Sequence, residues 1–401
     1  MLYPISKSME FSEAQKEIRN FFHSLPVEHS PLLLALSRSL AQDIFSPFSI
    51  PPIDNSAMDG YALSGDGNDP DGYLLLPSST FPDSIPSGAK CAFRVLTGRI
   101  VPSWAQCVAA QEHCNVRNGR VFPGTTYPIG HNIRRVGEDV LKDSILMKAG
   151  RHIDATALTR LASAGLTEIP VISQPRVLIL TGGDEIVRAP ALPDRQLPRY
   201  ECDSALLAGL LTEIGAIPCI LPHQPDEPSA IQKTLENAPT WDLLLTCGGA
   251  ADSELDFIRP VLREMGAKFR FERVAVKPGR PTAFGTLAGK PFFCLPGNPV
   301  AVFTSFLAFV DPAISLMIGH TYPAAPHRRI PLRDTYPGDE KRHRIVRAVM
   351  DWSGATPKAV PYPDSGSGLI RSLTDCDVLL SLPPGGELPA GSPVDILWMR
   401  A

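Results

Sequence analysis

Three apolar runs in this chain end in glycine-rich turns that carry acids or an Asn-Pro pair. "LILTGGDE" delivers Thr181, Gly182, Gly183, Asp184 and Glu185. "LLLTCGGAADSELD" delivers Gly248 and Gly249, then Glu254 and Asp256. "FCLPGNP" delivers Pro296, Gly297, Asn298 and Pro299. Glycine lets a ligand approach the backbone closely, and Asn-Pro suits an N-cap followed by the first helical position. A helix opening at Pro299 offers free N–H groups to an anion. Each turn alone also has a structural reading, since turns need glycine in any case. Three at one sheet edge point to a ligand. None matches the G-x-x-x-x-G-K-[ST] phosphate loop, and no G-x-G-x-x-G follows a strand, which disfavours P-loop hydrolysis and nicotinamide redox chemistry.

"VAVKPGRPTAFG" adds Lys277 and Arg280, stiffened by Pro278, Gly279 and Pro281. A point charge beside a bidentate fork suits an oxyanion; the alternative is a solvated basic turn. Glu185, Glu254 and Asp256 are the complementary half, suited to Mg²⁺ held by few protein ligands. They equally suit helix N-termini, where acids complement the dipole. "PPIDNSAMDGYAL", residues 51–63, neither alternates nor repeats, so by local rules Asp59 is a turn residue.

These residues need elements to hold them. From about 174 onward short strands alternate with helices: "PRVLILTGG", "DSALLAGLLTEIG", "IPCIL", "PSAIQKTLENA", "WDLLLTCGG", then a helix near "LDFIRPVLREMG" and the strand "PFFCLPG" before "PVAVFTSFLAFVDPAISLMI". That rhythm predicts a mostly parallel sheet with helices on both faces, and ligands sit at the carboxyl ends of such strands. Asp203 or Ser204 is the expected N-cap of its helix and Gly215 the stop. Upstream, residues 12–24 read as an amphipathic helix and 30–44 as a second; 46–140 read as short strands and turns, and helical character returns at 154–166. The expected organisation is a discontinuous helical domain (1–45 and 141–173), an inserted β-rich domain (46–140), an α/β domain (174–325) and a C-terminal β domain (326–401).

Composition sets limits. The chain has 401 residues, ample for two to three domains and a sizeable core. Its 41 prolines stiffen connections and end elements sharply. A net charge of -4 does not suggest a nucleic-acid binder. No continuous apolar run reaches about 18 residues, so no membrane span is expected. The N-terminus lacks a signal-peptide core, which predicts a cytoplasmic protein. The 8 cysteines lack the close pairing of a zinc site and read as buried, reduced thiols.

Six stretches, "PPIDNSAMDGYAL", "RRVGEDV", "LTGGDEI", "TCGGAADSELDF", "VAVKPGRPTAFG" and "LPGNPVAVFTSF", resemble in order and spacing the motifs of the MoeA family. These are the molybdopterin molybdenumtransferases, to which the gephyrin C-terminal domain is related. The resemblance spans essentially the whole chain. It implies an elongated homodimer whose α/β domain is similar to the smaller molybdopterin-binding proteins. It implies insertion of molybdate into adenylylated molybdopterin with Mg²⁺-dependent loss of AMP. It also implies a cleft shared between subunits and contact with a molybdopterin adenylyltransferase and apo-molybdoenzymes.

Carried over by motif, Asp59, Thr97, Asp139, Glu185, Asp256, Lys277 and Arg280 are the implied catalytic residues, with Glu185 and Asp256 on the metal. Gly182, Asp184, Gly248, Gly249, Pro296, Gly297, Asn298, Pro299, Ser367 and Arg342 are the implied ligand contacts. Lys277, Arg280, Ser367 and Arg342 are expected to hold molybdate. Several motif positions depart from the family. The usual Val-Ser-Val-Gly is Ala250, Ala251, Asp252 and Ser253. The usual Tyr-Asp-Ser/Thr-Asn is Tyr200, Glu201, Cys202 and Asp203. A lysine has become Arg280, Arg99, Trp104 and Gln106 stand where small or acidic residues are common, and His343 replaces an acid. Beside an active insertase, a cofactor carrier with altered ligand or metal preference and a non-catalytic dimeric scaffold are therefore alternatives.

Overall fold

The computed structural model describes residues 7–79, 81–187, 199–248, 257–320, 328–362, 366 and 368–399. The chain divides into two compact units, one of Ser30–Leu36 and Gln42–Ile169, the other of Met1–His29, Ser37–Ala41 and Pro170–Ala401.

The first unit is built on a six-stranded sheet in the order Cys107–Ala110, Gly60–Leu63, Cys91–Val95, Tyr73–Leu75, Arg120–Pro123, Cys114–Arg117. Its neighbours run antiparallel except Tyr73–Leu75 against Cys91–Val95. Alternate residues serve opposite faces: Leu63, Ala92 and Cys107 pack with Tyr73 on one, Ala62, Phe93 and Val108 on the other. The helix Ala155–Ser163 begins where expected, because the Asp154 carboxylate accepts the Ala157 N–H at 2.7 Å.

The helix expected over 30–44 does not form. Val27–Pro31 is a strand, only Leu32–Ala35 makes a short turn of helix, and Ser37 has φ 62. The backbone bonds instead to the segment near 170: Ala41 N–H to Pro170 and Ile172 N–H to the Ser39 carbonyl. The leucine run mimicked a helical face, but Leu33 and Leu34 are exposed.

In the second unit the α/β sheet has the order Ile217–Ile220, Arg176–Thr181, Leu243–Cys247, Lys290–Leu295, Ala283–Leu287, Lys268–Phe271. The first four strands are mutually parallel and the last two pair antiparallel, so the sheet is mostly parallel as expected. Both faces are covered. Val177, Ile179, Leu245 and Phe293 face one core; Leu178, Leu180, Leu244 and Phe292 face the other. The helix Phe11–Phe21 joins the first of these cores through Phe11, Ala14 and Ile18.

Helical structure runs over Pro299–Met317, 19 residues with mean hydropathy 1.8, long and apolar enough to cross a membrane by composition. It is 83% buried in the fold, with Val302, Phe306 and Phe309 fully enclosed. Burial in this core accounts for its composition. Cys91, Cys107, Cys247, Cys294 and Cys376 are buried, while Cys114, Cys202 and Cys219 are half-buried, and no disulfide forms among them.

The C-terminal sheet has the order Val276–Lys277, His343–Asp351, Val378–Leu382, Pro393–Met399, Arg329–Pro331, with Lys358–Pro361 on the His343 strand. His343 binds this sheet to the N-terminal helix. Its ring stacks on Phe11 at 3.9 Å, and Nε2 lies 2.9 Å from Ser381 Oγ. Burial pushes its pKa down to about 4, against a small opposing pull from Asp395. A lowered histidine pKa gives stability that is present above the ordinary value and lost as pH falls through it. Unfolding free energy should therefore drop by about 2 kcal/mol between pH 7 and pH 5 through this group. His343→Phe, which keeps the stacked ring, should flatten the denaturation profile by that amount; an unchanged slope would remove His343 as its source.

Candidate ligand site at the glycine edge

The register of the parallel strands brings the three glycine turns together. Thr181 pairs with Cys247 and Cys247 with Leu295, so all three strands end at one level. Beyond them backbone meets backbone. A Cβ on Gly248, where φ is +86, would lie 2.5 Å from the Gly182 carbonyl oxygen. A Cβ on Gly297 would lie 3.2 Å from Gly248 Cα. Glycine is required here for close approach. Asn298 caps the following helix, its Oδ1 accepting the Val300 N–H at 3.1 Å, with Pro299 at the first helical position and Pro296 buried behind it.

The first turn is braced by a segment that sequence reasoning did not single out. His223 Nε2 donates to the Gly183 carbonyl at 3.0 Å, and Thr181 Oγ1 lies 3.3 Å from Nδ1. Asp184 and Asp226 clasp each other: Asp184 N–H donates to Asp226 Oδ2 at 3.3 Å, and Asp226 N–H donates to Asp184 Oδ1 at 3.1 Å. Burial raises the Asp226 pKa first, and the charges of Asp184 and Glu185 add to it. In "HQPDEPS" Asp226 reads as a helix-start residue, so only the fold reveals its place.

Carboxylates that destabilise one another suit a hard divalent cation, which relieves the repulsion through oxygen ligands. Among the described residues no three Asp, Glu, His or Cys side chains form a closed cage. Gly249, Asp256 and Ser367 lie outside the described residues, as do Glu254 and Ala250–Ser253.

The cations gather at a second feature. Val276–Lys277 pairs in parallel with His343–Arg344, which sets Lys277 beside the Arg344 strand. Lys277, Pro278, Tyr336, Arg344, Arg347 and Gly366 are among the residues lining a cleft of about 740 Å³. Arg347 is buried and donates to Ser372 Oγ and to the Gly366 carbonyl. Arg344 donates to Tyr336 OH at 3.2 Å and lies 3.8 Å from Asp339. Arg342 is not among the lining residues: it pairs with Asp339 at 3.0 Å. The positive charge lining the cleft thus comes from Lys277, which the sequence singled out, and from Arg344 and Arg347, which sequence matching passed over for their exposed neighbour.

The cation turn is anchored to the glycine edge. Thr282 Oγ1 lies 2.7 Å from the Gly279 carbonyl and 2.9 Å from Ser305 Oγ, at the end of the helix that opens at Pro299. That helix spans about 9 Å at 1.5 Å per residue. Arg280 is exposed, and its carbonyl accepts the Val274 N–H at 3.0 Å.

The Asp59 loop belongs to the other unit. Asp59 Oδ1 accepts from both the N–H and the hydroxyl of Thr97, each at 2.7 Å. The Thr97 N–H, then its hydroxyl, hold the Asp59 carboxyl below the ordinary carboxylate range. Gly60 starts a central strand, and a Cβ there would lie 2.0 Å from the Ala109 carbonyl oxygen. The "RRVGEDV" loop is laced to the same stretch. Asp54 pairs with Arg135 at 2.6 Å, Gly137 N–H donates to the Pro51 carbonyl, and Asp139 N–H donates to that of Ile50. Asp139 itself is exposed.

An α/β domain that crowds three glycine turns at its strand ends, next to a basic cleft, is the frame of a protein that handles a phosphorylated, anionic ligand. Comparison with known proteins makes the class specific. The MoeA N-terminal region (domains I and II) matches residues 9–165, a molybdopterin binding domain matches 178–315, and the MoeA C-terminal region (domain IV) matches 329–398. The chain is 33% identical to the molybdopterin molybdenumtransferase of Haemophilus influenzae over 73% of each chain. It is 29% identical to molybdopterin molybdenumtransferase 2 of Mycobacterium tuberculosis over 91% of this chain and 93% of that one. The crystal structure of the molybdopterin biosynthesis MoeA protein from Pyrococcus horikoshii OT3 superposes with a TM-score of 0.77 at 26% identity, covering 97% of this chain and 99% of that chain. The chain belongs to the MoeA family, the molybdopterin molybdenumtransferases of molybdenum cofactor biosynthesis.

Two substitutions test the Asp59 loop. Thr97→Val should raise the Asp59 pKa toward the ordinary carboxylate value in a carboxyl-carbon NMR titration, leaving the group ionised at neutral pH; no change would release the hydroxyl from that role. Gly60→Ala should cost about 3 kcal/mol, because backbone atoms cannot yield to a methyl. Gly209→Ala, on an exposed helical face with nothing within 4 Å, should instead gain about 0.5–1 kcal/mol in the same urea melts.

Proposed function

We propose that this protein inserts molybdenum from molybdate into adenylylated molybdopterin, with Mg²⁺-dependent release of AMP. The observation that carries the reading is the turn Lys277–Arg280, which hydrogen-bonds into the C-terminal sheet and is pinned to Ser305 of the edge helix. It joins a basic cleft with room for more than one anionic group to an edge suited to phosphates.

In this reading the backbone at Gly182, Gly248, Gly249 and Gly297 cradles the phosphorylated pterin, with the N–H groups beyond Asn298 and Pro299 facing its charge. Lys277, Arg280, Arg344, Arg347 and Ser367 hold the tetrahedral oxyanion, Lys277 as a point charge and the arginines as forks. Glu185 and Asp256 hold Mg²⁺, with Asp184 and Asp226 crowding negative charge beside it. The bound ion supplies charge neutralisation at the phosphoanhydride. Asp59 and Asp139, presented by a second copy of the chain, act on the same group. Thr97 holds the Asp59 carboxylate in place through its N–H and hydroxyl. We place the reaction in the cytoplasm, after a molybdopterin adenylyltransferase and before apo-molybdoenzymes.

The test is reconstitution with adenylylated molybdopterin, molybdate and Mg²⁺, reading AMP release and activation of an apo-molybdoenzyme. Wild type should release AMP, and Asp59→Asn should slow release roughly 10²-fold while pterin affinity changes little. Binding without release at any molybdate or Mg²⁺ level would leave a cofactor carrier. Neither binding nor release would leave a scaffold.

A further inference from the structure

One buried acid near the glycine edge has no structural partner that explains it. Asp203 opens the helix Asp203–Glu213 and is 8% exposed. It does not cap that helix. Glu201 does, accepting the Ser204 N–H at 2.7 Å with one oxygen and the Ser204 hydroxyl with the other. Asp203 Oδ1 is buried without a hydrogen-bond partner, a costly state for a carboxylate.

Its neighbours locate it. The Glu201 N–H donates to the Val187 carbonyl at 2.9 Å, on the short strand Ile186–Val187 that leaves the first glycine turn, and the helix Asp203–Glu213 packs against Arg176–Thr181, which leads into that turn. The Cys247 carbonyl accepts the Gly182 N–H at 3.3 Å. Asp203 therefore lies beside the segment that carries the first glycine turn.

The other groups that could set its charge are few among the described residues. Glu201 and Cys202 flank it, and Cys247 and Cys294 lie on the adjoining strands. The helix Pro299–Ser305, packed against its own, carries no charge. The strand Ile217–Ile220 contributes only Cys219, and Arg176 sits at the far end of Arg176–Thr181. No cation among these neighbours offsets an ionised Asp203.

We propose that Asp203 is a ligand-positioning residue whose protonated carboxyl donates a hydrogen bond to an acceptor on the bound phosphorylated pterin. This rests on the pterin-binding reading above. A carboxyl donates only while it holds its proton, whereas an amide in its place donates at every pH, so the proposed contact titrates and Asp203→Asn would make it fixed.

Burial, then the charge of Glu201, pushes the Asp203 pKa up to about 7. The sign follows. Below neutrality the group is uncharged and donates; above it, an unpaired anion faces a phosphorylated ligand and repels it. Ligand affinity should fall as pH rises, by about 30-fold between pH 6 and pH 8.5 for one linked proton.

The experiment is anaerobic binding of molybdopterin to the full chain across that range, for wild type and Asp203→Asn. Wild type should weaken as stated. Asp203→Asn should bind at the wild-type low-pH strength throughout, apart from the slope of the ligand's own phosphate, which it measures. Equal slopes in both proteins would overturn the role of Asp203 and leave the pterin-binding reading standing. No molybdopterin binding by either protein at any pH would remove that reading and the proposal with it. Should Asp203→Asn fail to fold, ¹³C-aspartate titration of the wild type decides. The Asp203 midpoint must rise when molybdopterin is added, and an unmoved midpoint overturns the proposal.

Discussion

The contact that organises this molecule is between two stretches of backbone, Gly182 and Gly248. No side chain fits between them, since a Cβ on Gly248 would stand 2.5 Å from the Gly182 oxygen. Two parallel strands can end at the same level and bring their turns this close only because the second turn lacks a Cβ at Gly248. Gly297 extends the packing to a third strand. The result is a closely packed backbone edge at the end of a sheet covered on both faces, buried at Gly182, half-buried at Gly248 and exposed at Gly297. A surface made of backbone has the polarity and the close approach that a phosphorylated ligand needs, and it cannot be substituted without prising the strands apart.

The acids and cations then follow from what the edge leaves free. Asp184, Glu185 and Asp226 gather at the first turn, where Asp226 is already driven toward its neutral form by burial first and then by the charges of its neighbours. The basic groups lie elsewhere, on the C-terminal sheet. Lys277 belongs to that sheet by hydrogen bonding, although the chain reaches it from the α/β domain. Among the described residues one acid joins these cations: Asp339 pairs with Arg342 and lies 3.8 Å from Arg344.

Much of this was legible from residue types. The alternation of Val177, Leu178, Ile179 and Leu180 between two cores needs only a strand covered on both faces, and the glycine turns announced themselves by composition. What stayed hidden depends on pairing across the chain. The run Leu32–Leu36 looks helical by period, yet its backbone finds partners near Pro170, more than a hundred residues on. Asp203 looks like an N-cap by position, yet Glu201 has the longer side chain and takes the cap. Arg342 looks like the anion-binding cation by proximity to its motif, yet register puts Arg344 and Arg347 in the cleft. Local signals set the type of element; long-range hydrogen bonds decide which face a side chain serves.

Two departures from the family motifs share one physical character. His343 and Asp203 are both ionisable groups that burial drives toward their neutral forms, the histidine downward to about 4 and the carboxyl upward to about 7. Their consequences differ because their partners differ. His343 is stacked on Phe11 and lies within hydrogen-bonding distance of Ser381, so its neutrality is spent on holding a helix against a sheet. Asp203 keeps an oxygen without a partner, which folding alone would not favour. A buried polar atom left open costs on the order of 1–3 kcal/mol. In the proposed role Asp203 recovers that cost when the ligand arrives, whereas His343 has its partners already within the folded chain.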